Sequence, residues 1–193
     1  MPRNLADNTT NVIPCQETDC CVSMVYMEIA LLSKKTLRIK GKFASLVIDP
    51  KEKIEANASI LLSGSGFPDL AIPLVIAGPG SYEVGGVKIA GTRSGDAIAY
   101  RILIDGVGIL IGQLSNLSKM QQKLQDNNIV LAICDEGTDA SFLGPLAKNA
   151  LILVGPEAES LGQLLGKENL QVLAKYQTTK DKLPQEVETI VLN

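Results

Sequence analysis

From Val25 to Gly112 the chain reads as a ladder of short strand patterns broken by turn residues, and beyond it strand and helix patterns alternate. That order constrains the fold more than any other feature. Strands at such close spacing pair with their chain neighbours as hairpins, whereas the later alternation supplies the crossovers of parallel strands. The ladder comprises 25–32, 36–41, 43–50, 58–64, 73–80, 85–93, 97–106 and 107–112. Gly41–Lys42 and Asp105–Gly106 are the tight turns within it. Further on, 116–127 predicts a helix with Leu117, Met120 and Leu124 on one face and Asn116 or Ser118 as cap. The runs 128–134 and 150–155 are almost continuously apolar, as strands covered on both faces are. Short helices are expected over 138–149, interrupted at Gly144–Pro145, and over 156–169, with Pro156 in its first turn. Two strands, LQVLAKYQTT (170–179) and VETIVLN (187–193), close the chain. The arrangement that satisfies this order is an α/β sandwich of two mixed sheets flanked by helices. Its folded domain spans 25–193, with 1–24 a polar extension.

Composition narrows the function. Hydrophobic residues make up 46% of the 193 and aromatics 4%, so the core must be aliphatic. Lysine and arginine number 18 against 21 acids, and no basic patch with stacking aromatics points to nucleic acid. No apolar run suits a membrane span, and the first residues lack a signal-peptide pattern, so a cytoplasmic location is expected. Cys15, Cys20 and Cys21 crowd the extension and Cys134 ends an apolar run, which is a poor disulfide framework. The chain has no histidine. Zinc centres built on imidazole and histidine acid–base catalysis are therefore outside its chemistry.

The stretch GPGSYEVGGVKIAG (78–91) resembles a signature of small proteins of the metallo-β-lactamase fold, the superfamily of metal-dependent hydrolases. The closest resemblance is to putative zinc-dependent hydrolases related to the ascorbate-lactonase group. Other pieces follow in the family's order: LLSKKTLRIKG (31–41), ASLVIDP (44–50), ASILLSGSGFPD (58–69), ILIGQLS (109–115) and KDKLPQEVETIVLN (180–193). The resemblance implies a four-layer αββα sandwich and a metal site at the ends of its strands. It also exposes a departure. Gly64 and Gly66 stand where the family has its first two metal-binding histidines, Pro68 where it has an aspartate, and Asp69 where it has a third histidine. Leu110 falls on the next histidine, Gln113 on the bridging carboxylate and Gly155 on the last ligand, while Lys34 replaces an early histidine. The expected cofactor is accordingly none.

The local chemistry agrees with this reading. Glycine, serine and proline offer zinc only hydroxyls and carbonyls, and Gln113 can neither bridge metals nor act as a base near neutral pH. Ser63, Ser65 and Phe67 complete a loop that reads as the rim of an abandoned pocket, or as an anion nest of backbone N–H groups over Ser63–Gly66. Cys134, Asp135 and Glu136 end a buried strand on the pocket side. Acidic neighbours raise a thiol pKa, so an inert thiol is expected there rather than a nucleophile, although Lys34 or Lys35 nearby would oppose that. A Ser–Lys arrangement of Ser63 or Ser65 with Lys34 is the enzyme alternative. The expectation is a catalytically inactive scaffold acting as a structural or binding module. It is expected to bind neither nucleic acid nor membrane, and to pair as a homodimer or with a protein partner through exposed strand edges.

Overall fold

The structure is a computed structural model that describes residues 27–62, 72–124, 126–135, 139–165 and 170–193. Ser63–Asp69, Glu136 and the three N-terminal cysteines lie outside these residues. Two sheets pack face to face. The first contains β1 (Met27–Ser33), β2 (Thr36–Lys40), β3 (Ser45–Ile48), β4 (Ala58–Ile60) and β5 (Val75–Ile76). The second begins with β6 (Gly80–Val84), β7 (Val87–Ser94), β8 (Ala97–Ile104) and β9 (Val107–Gln113), then takes β10 (Asn127–Ile133) and β11 (Ala147–Val154). The C-terminal strands are β12 (Gln171–Leu173), β13 (Lys175–Thr178) and β14 (Glu188–Leu192). Strand order is β13-β1-β2-β3-β4-β5 in the first sheet and β12-β14-β11-β10-β9-β8-β7-β6 in the second.

The hairpins of the ladder are antiparallel and the later strands parallel, as the spacing requires. Asp105–Gly106 forms the β8–β9 turn with both φ positive, 49° and 78°, the type I′ geometry that matches strand twist. Gly85–Gly86 makes the β6–β7 turn in the same way. β6 itself lies where the sequence pattern put the end of one strand and a turn, because the GPG turn hides the short GSYEV run that follows.

Alternation sorts the side chains of the second sheet into two cores. Ile89, Ile102, Ile109, Leu131 and Ile152 face Ile39, Leu46, Ile48 and Ile60 of the first sheet. Leu110, Val130, Ala132, Leu151 and Leu153 face outward beneath α1 (Leu114–Met120) and its neighbours. Burying each such Leu or Ile contributes roughly 1.5–3 kcal/mol, which is how a chain poor in aromatics holds together. Tyr100 is enclosed between the sheets at 0% exposure. Its hydroxyl has no partner among the described residues, and burial pushes its pKa up to about 12.

Helical detail differs from expectation. α1 starts at Leu114 with Gln113 in the cap position, not Asn116 or Ser118, because the strand runs directly into the helix. The segment around Gly144–Pro145 forms a 3-10 turn over Ser141–Leu146, and β11 begins earlier than the apolar run implied. α2 (Ala158–Leu164) starts after Pro156. LQVLAKYQTT is two strands, not one: β12 joins the second sheet, parallel to β14, and β13 joins the first, antiparallel to β1. Both α-helices pack on the second sheet. Val47 and Ser59 on the outer face of the first sheet are also buried, although no described α-helix lies over them. No helix among the described residues is long and apolar enough to cross a membrane.

Candidate functional site

The parallel strands of the second sheet end together. Gln113, Ile133, Val154 and Leu192 form one row across β9, β10, β11 and β14. Cys134, Asp135, Gly155 and Asn193 follow immediately after that row. The first sheet contributes the β1–β2 turn, Lys34–Lys35, and the end of β3 at Asp49. The two sheets meet where Lys35 Nζ donates to Asp135 Oδ1 at 2.8 Å. Leu31, Lys34, Lys35, Gly155, Pro156, Leu192 and Asn193 line a cavity of about 410 Å³ beside that pair.

Asp49 is the hub on the first-sheet side, and sequence reasoning missed it. Its backbone has φ 45°, unusual for a residue with a side chain. Its N–H donates to the Ile60 carbonyl at 2.9 Å, and its carbonyl accepts from Thr36 Oγ1 at 3.0 Å. Oδ1 accepts the Leu62 N–H at 2.8 Å, fixing the chain where the 63–71 segment leaves β4. Burial raises the pKa of this carboxyl, and the charge of Asp135 adds to that. The Leu62 hydrogen bond and Lys35 oppose the rise without cancelling it. The available signal is the Asp49–Pro50 pair that ends an apolar strand pattern.

Gly155 has φ 115°, and a Cβ placed there would sit 2.6 Å from the Cys134 carbonyl oxygen. Glycine is required by the backbone at this point, so no side chain can project toward the cavity. Gln113 sits at the strand end with its side-chain oxygen accepting from Asn116 Nδ2 at 3.4 Å. Leu110 is elsewhere. It lies in the row of Val130 and Leu151, three residues back from the strand ends, and is buried under α1. The structure therefore gathers Gln113, Asp135, Gly155, Lys34 and the Cys134 backbone, and leaves Leu110 out.

The Cys134 side chain turns away from the cavity, although its strand ends on that side. It is 0% exposed within the helix-side core, with Sγ 3.6 Å from the Ala132 carbonyl oxygen. Burial, aided by the charges of Asp135 and Glu157, pushes its pKa up to about 11. Lys35 engages Asp135 and not the thiol.

A family-type metal does not fit the described part of this site. No three of His, Cys, Asp and Glu come together there, Asp135 is held by an ammonium, and Asp49 is turned to a backbone N–H. No family model matches the chain, and no curated protein does. Solved structures do. The chain is similar to a "putative zn-dependent hydrolase of the metallo-beta-lactamase superfamily" from Thermotoga maritima at TM-score 0.65 and 14% identity, covering 86% of this chain and 100% of that one. It is also similar to a "putative metal-dependent hydrolase" from Parabacteroides distasonis at TM-score 0.50 and 13% identity, covering 86% and 93%. The chain has the metallo-β-lactamase fold. The row of strand ends just described is furnished with lysines, a glycine and two engaged carboxylates.

Proposed function

We propose that this metallo-β-lactamase-fold chain is catalytically inactive, a cytoplasmic pseudo-hydrolase kept as a structural or binding module. One observation carries the reading: at the strand ends, where a hydrolase of this fold would work, both described acids are already engaged, and position 155 admits no side chain. Activating water at neutral pH takes a metal or a free base of suitable pKa. Neither Gln113 nor the inward-turned Cys134 supplies one. The cavity beside Lys34 and Lys35 supports the binding half of the proposal, with Leu31 and Leu192 as apolar walls.

Elemental analysis of the purified full chain, paired with a panel of ester, lactone and phosphoester substrates, tests this reading. Trace metal and no turnover with or without added zinc or manganese are expected. Stoichiometric zinc, iron or manganese, or turnover lost on Asp49→Asn, would overturn it and favour a hydrolase with a non-histidine site.

A further inference from the structure

Among the described residues four strand edges of the two sheets are open, and they are not alike. β5 spans two residues and β12 three, while β13 spans four and begins at Lys175. Short strands and edge lysines are the usual means of preventing one sheet from pairing with another. β6 has neither. It is five residues long, contains no proline or lysine, and pairs with β7 in unbroken register from Gly80↔Gly91 to Val84↔Val87. The regular register continues through β7–β8 and β8–β9. Beside this edge, no described element covers the outer face of the sheet. Ala90 is exposed, Leu103 is 45% exposed, and a groove of about 710 Å³ runs past Ser81, Glu83, Lys88 and Arg101.

We infer that β6 is the pairing edge of a homodimer, antiparallel to β6 of a second copy about a two-fold axis through Tyr82. The sequence of the strand selects that occupant. The axis places Tyr82 opposite its own copy on the inner face, a favourable aromatic cross-strand pair, and Val84 opposite Gly80. On the outer face it places Ser81 opposite Glu83 in both directions. Glu83 already faces Lys88 across β6–β7. In the dimer each Glu83 then lies between the Lys88 ammonium of its own copy and a serine hydroxyl of the other, and no like charges meet. The isologous arrangement needs no other partner, and the two uncovered faces become one surface.

Sedimentation velocity of the full chain over a concentration series reaching about 100 µM, with two variants of the exposed Ser81, tests the inference. Ser81 faces Ala90 in its own chain, so neither variant should shift the thermal melt of the monomer at low concentration. The wild type is expected to dimerise. Ser81→Glu, which sets two carboxylates against each other, should weaken the dimer about tenfold, and Ser81→Lys, which faces Glu83, should tighten it. A wild type that stays monomeric throughout would overturn the inference, including one whose β6 amides resist exchange because another part of the chain covers the edge. A dimer indifferent to both variants, or weakened equally by both, would overturn it too.

Discussion

The two ends of the sandwich do the same structural job by different means. At the turn end, hairpin loops meet across the sheets: the Lys42 N–H donates to Asp105 Oδ2 at 2.8 Å, and Gly41 lies directly against Ile104 and Asp105. Each piece there is local, a turn between strands adjacent in sequence. At the strand-end side only Lys35 comes from a hairpin turn, and the other joined pieces are segments that leave one strand for a different element. Lys35 meets Asp135, Asp49 receives Leu62, and Gly155 packs on Cys134. The contrast shows where this fold is tolerant and where it is not. A local turn can relax with its own hairpin, whereas a junction between remote segments moves only if a sheet moves with it.

The glycines should give the largest contrast. Gly155→Ala meets both a positive φ and a backbone oxygen that cannot withdraw, and is expected to cost about 3 kcal/mol in urea unfolding. Gly86→Ala, at φ 78° with nothing within 4 Å, meets the strain alone and should cost about 1 kcal/mol. Equal costs would erase the distinction between the ends.

Asp49 comes next. Asp49→Ala leaves the Leu62 N–H without its acceptor and should cost about 2 kcal/mol. Asp49→Asn keeps an acceptor oxygen and removes a buried charge, so it should be close to neutral. The pH dependence has a definite sign. The folded pKa is raised, so this group's contribution is fully present below its ordinary carboxylate range and is lost as pH rises through the raised value. The Asn variant should therefore gain on the wild type between acid and neutral pH. A gap that widens toward acid instead would mean that the ionised form is the one the fold prefers.

The smallest contrast concerns the two bridging acids. Asp105→Ala removes the acceptor of a backbone N–H and should cost about 1 kcal/mol. Asp135→Ala breaks a pair whose side chains are 48% and 40% exposed, so about 0.5 kcal/mol is expected, vanishing in high salt.

The same contrast explains what could be read from the sequence. Asp105–Gly106 announces its turn because two positive φ values demand such residues, and the apolar runs of β10 and β11 announce burial on both faces. The two-sheet architecture followed from the order of such pieces, and the metallo-β-lactamase fold from the family resemblance of GPGSYEVGGVKIAG and the stretches around it. The site was less legible. Gln113, Asp135 and Gly155 lie at one end, and glycine at 155 meets a backbone constraint, which no pattern of residue types reveals. The position of Leu110, three residues back from the strand end, was not legible because counting along a strand does not say where the strand stops. Asp49 was overlooked because its partners, Thr36, Ile60 and Leu62, belong to other segments. β12 and β13 read as one strand because nothing at Ala174 signals that the chain changes sheets.

That change of sheets has a kinetic consequence. β1 is flanked by β2, its neighbour in sequence, and by β13, which pairs Met27 with Thr178 and Glu28 with Gln177. The first sheet thus cannot be completed until nearly the whole chain is present, and closing so long a loop is slow compared with forming a hairpin. β11 waits as well, since β14 is its outer neighbour. A nascent chain would carry one edge of β1 and one of β11 unpaired until β13 and β14 had emerged, and its aggregation risk is expected to be greatest in that interval.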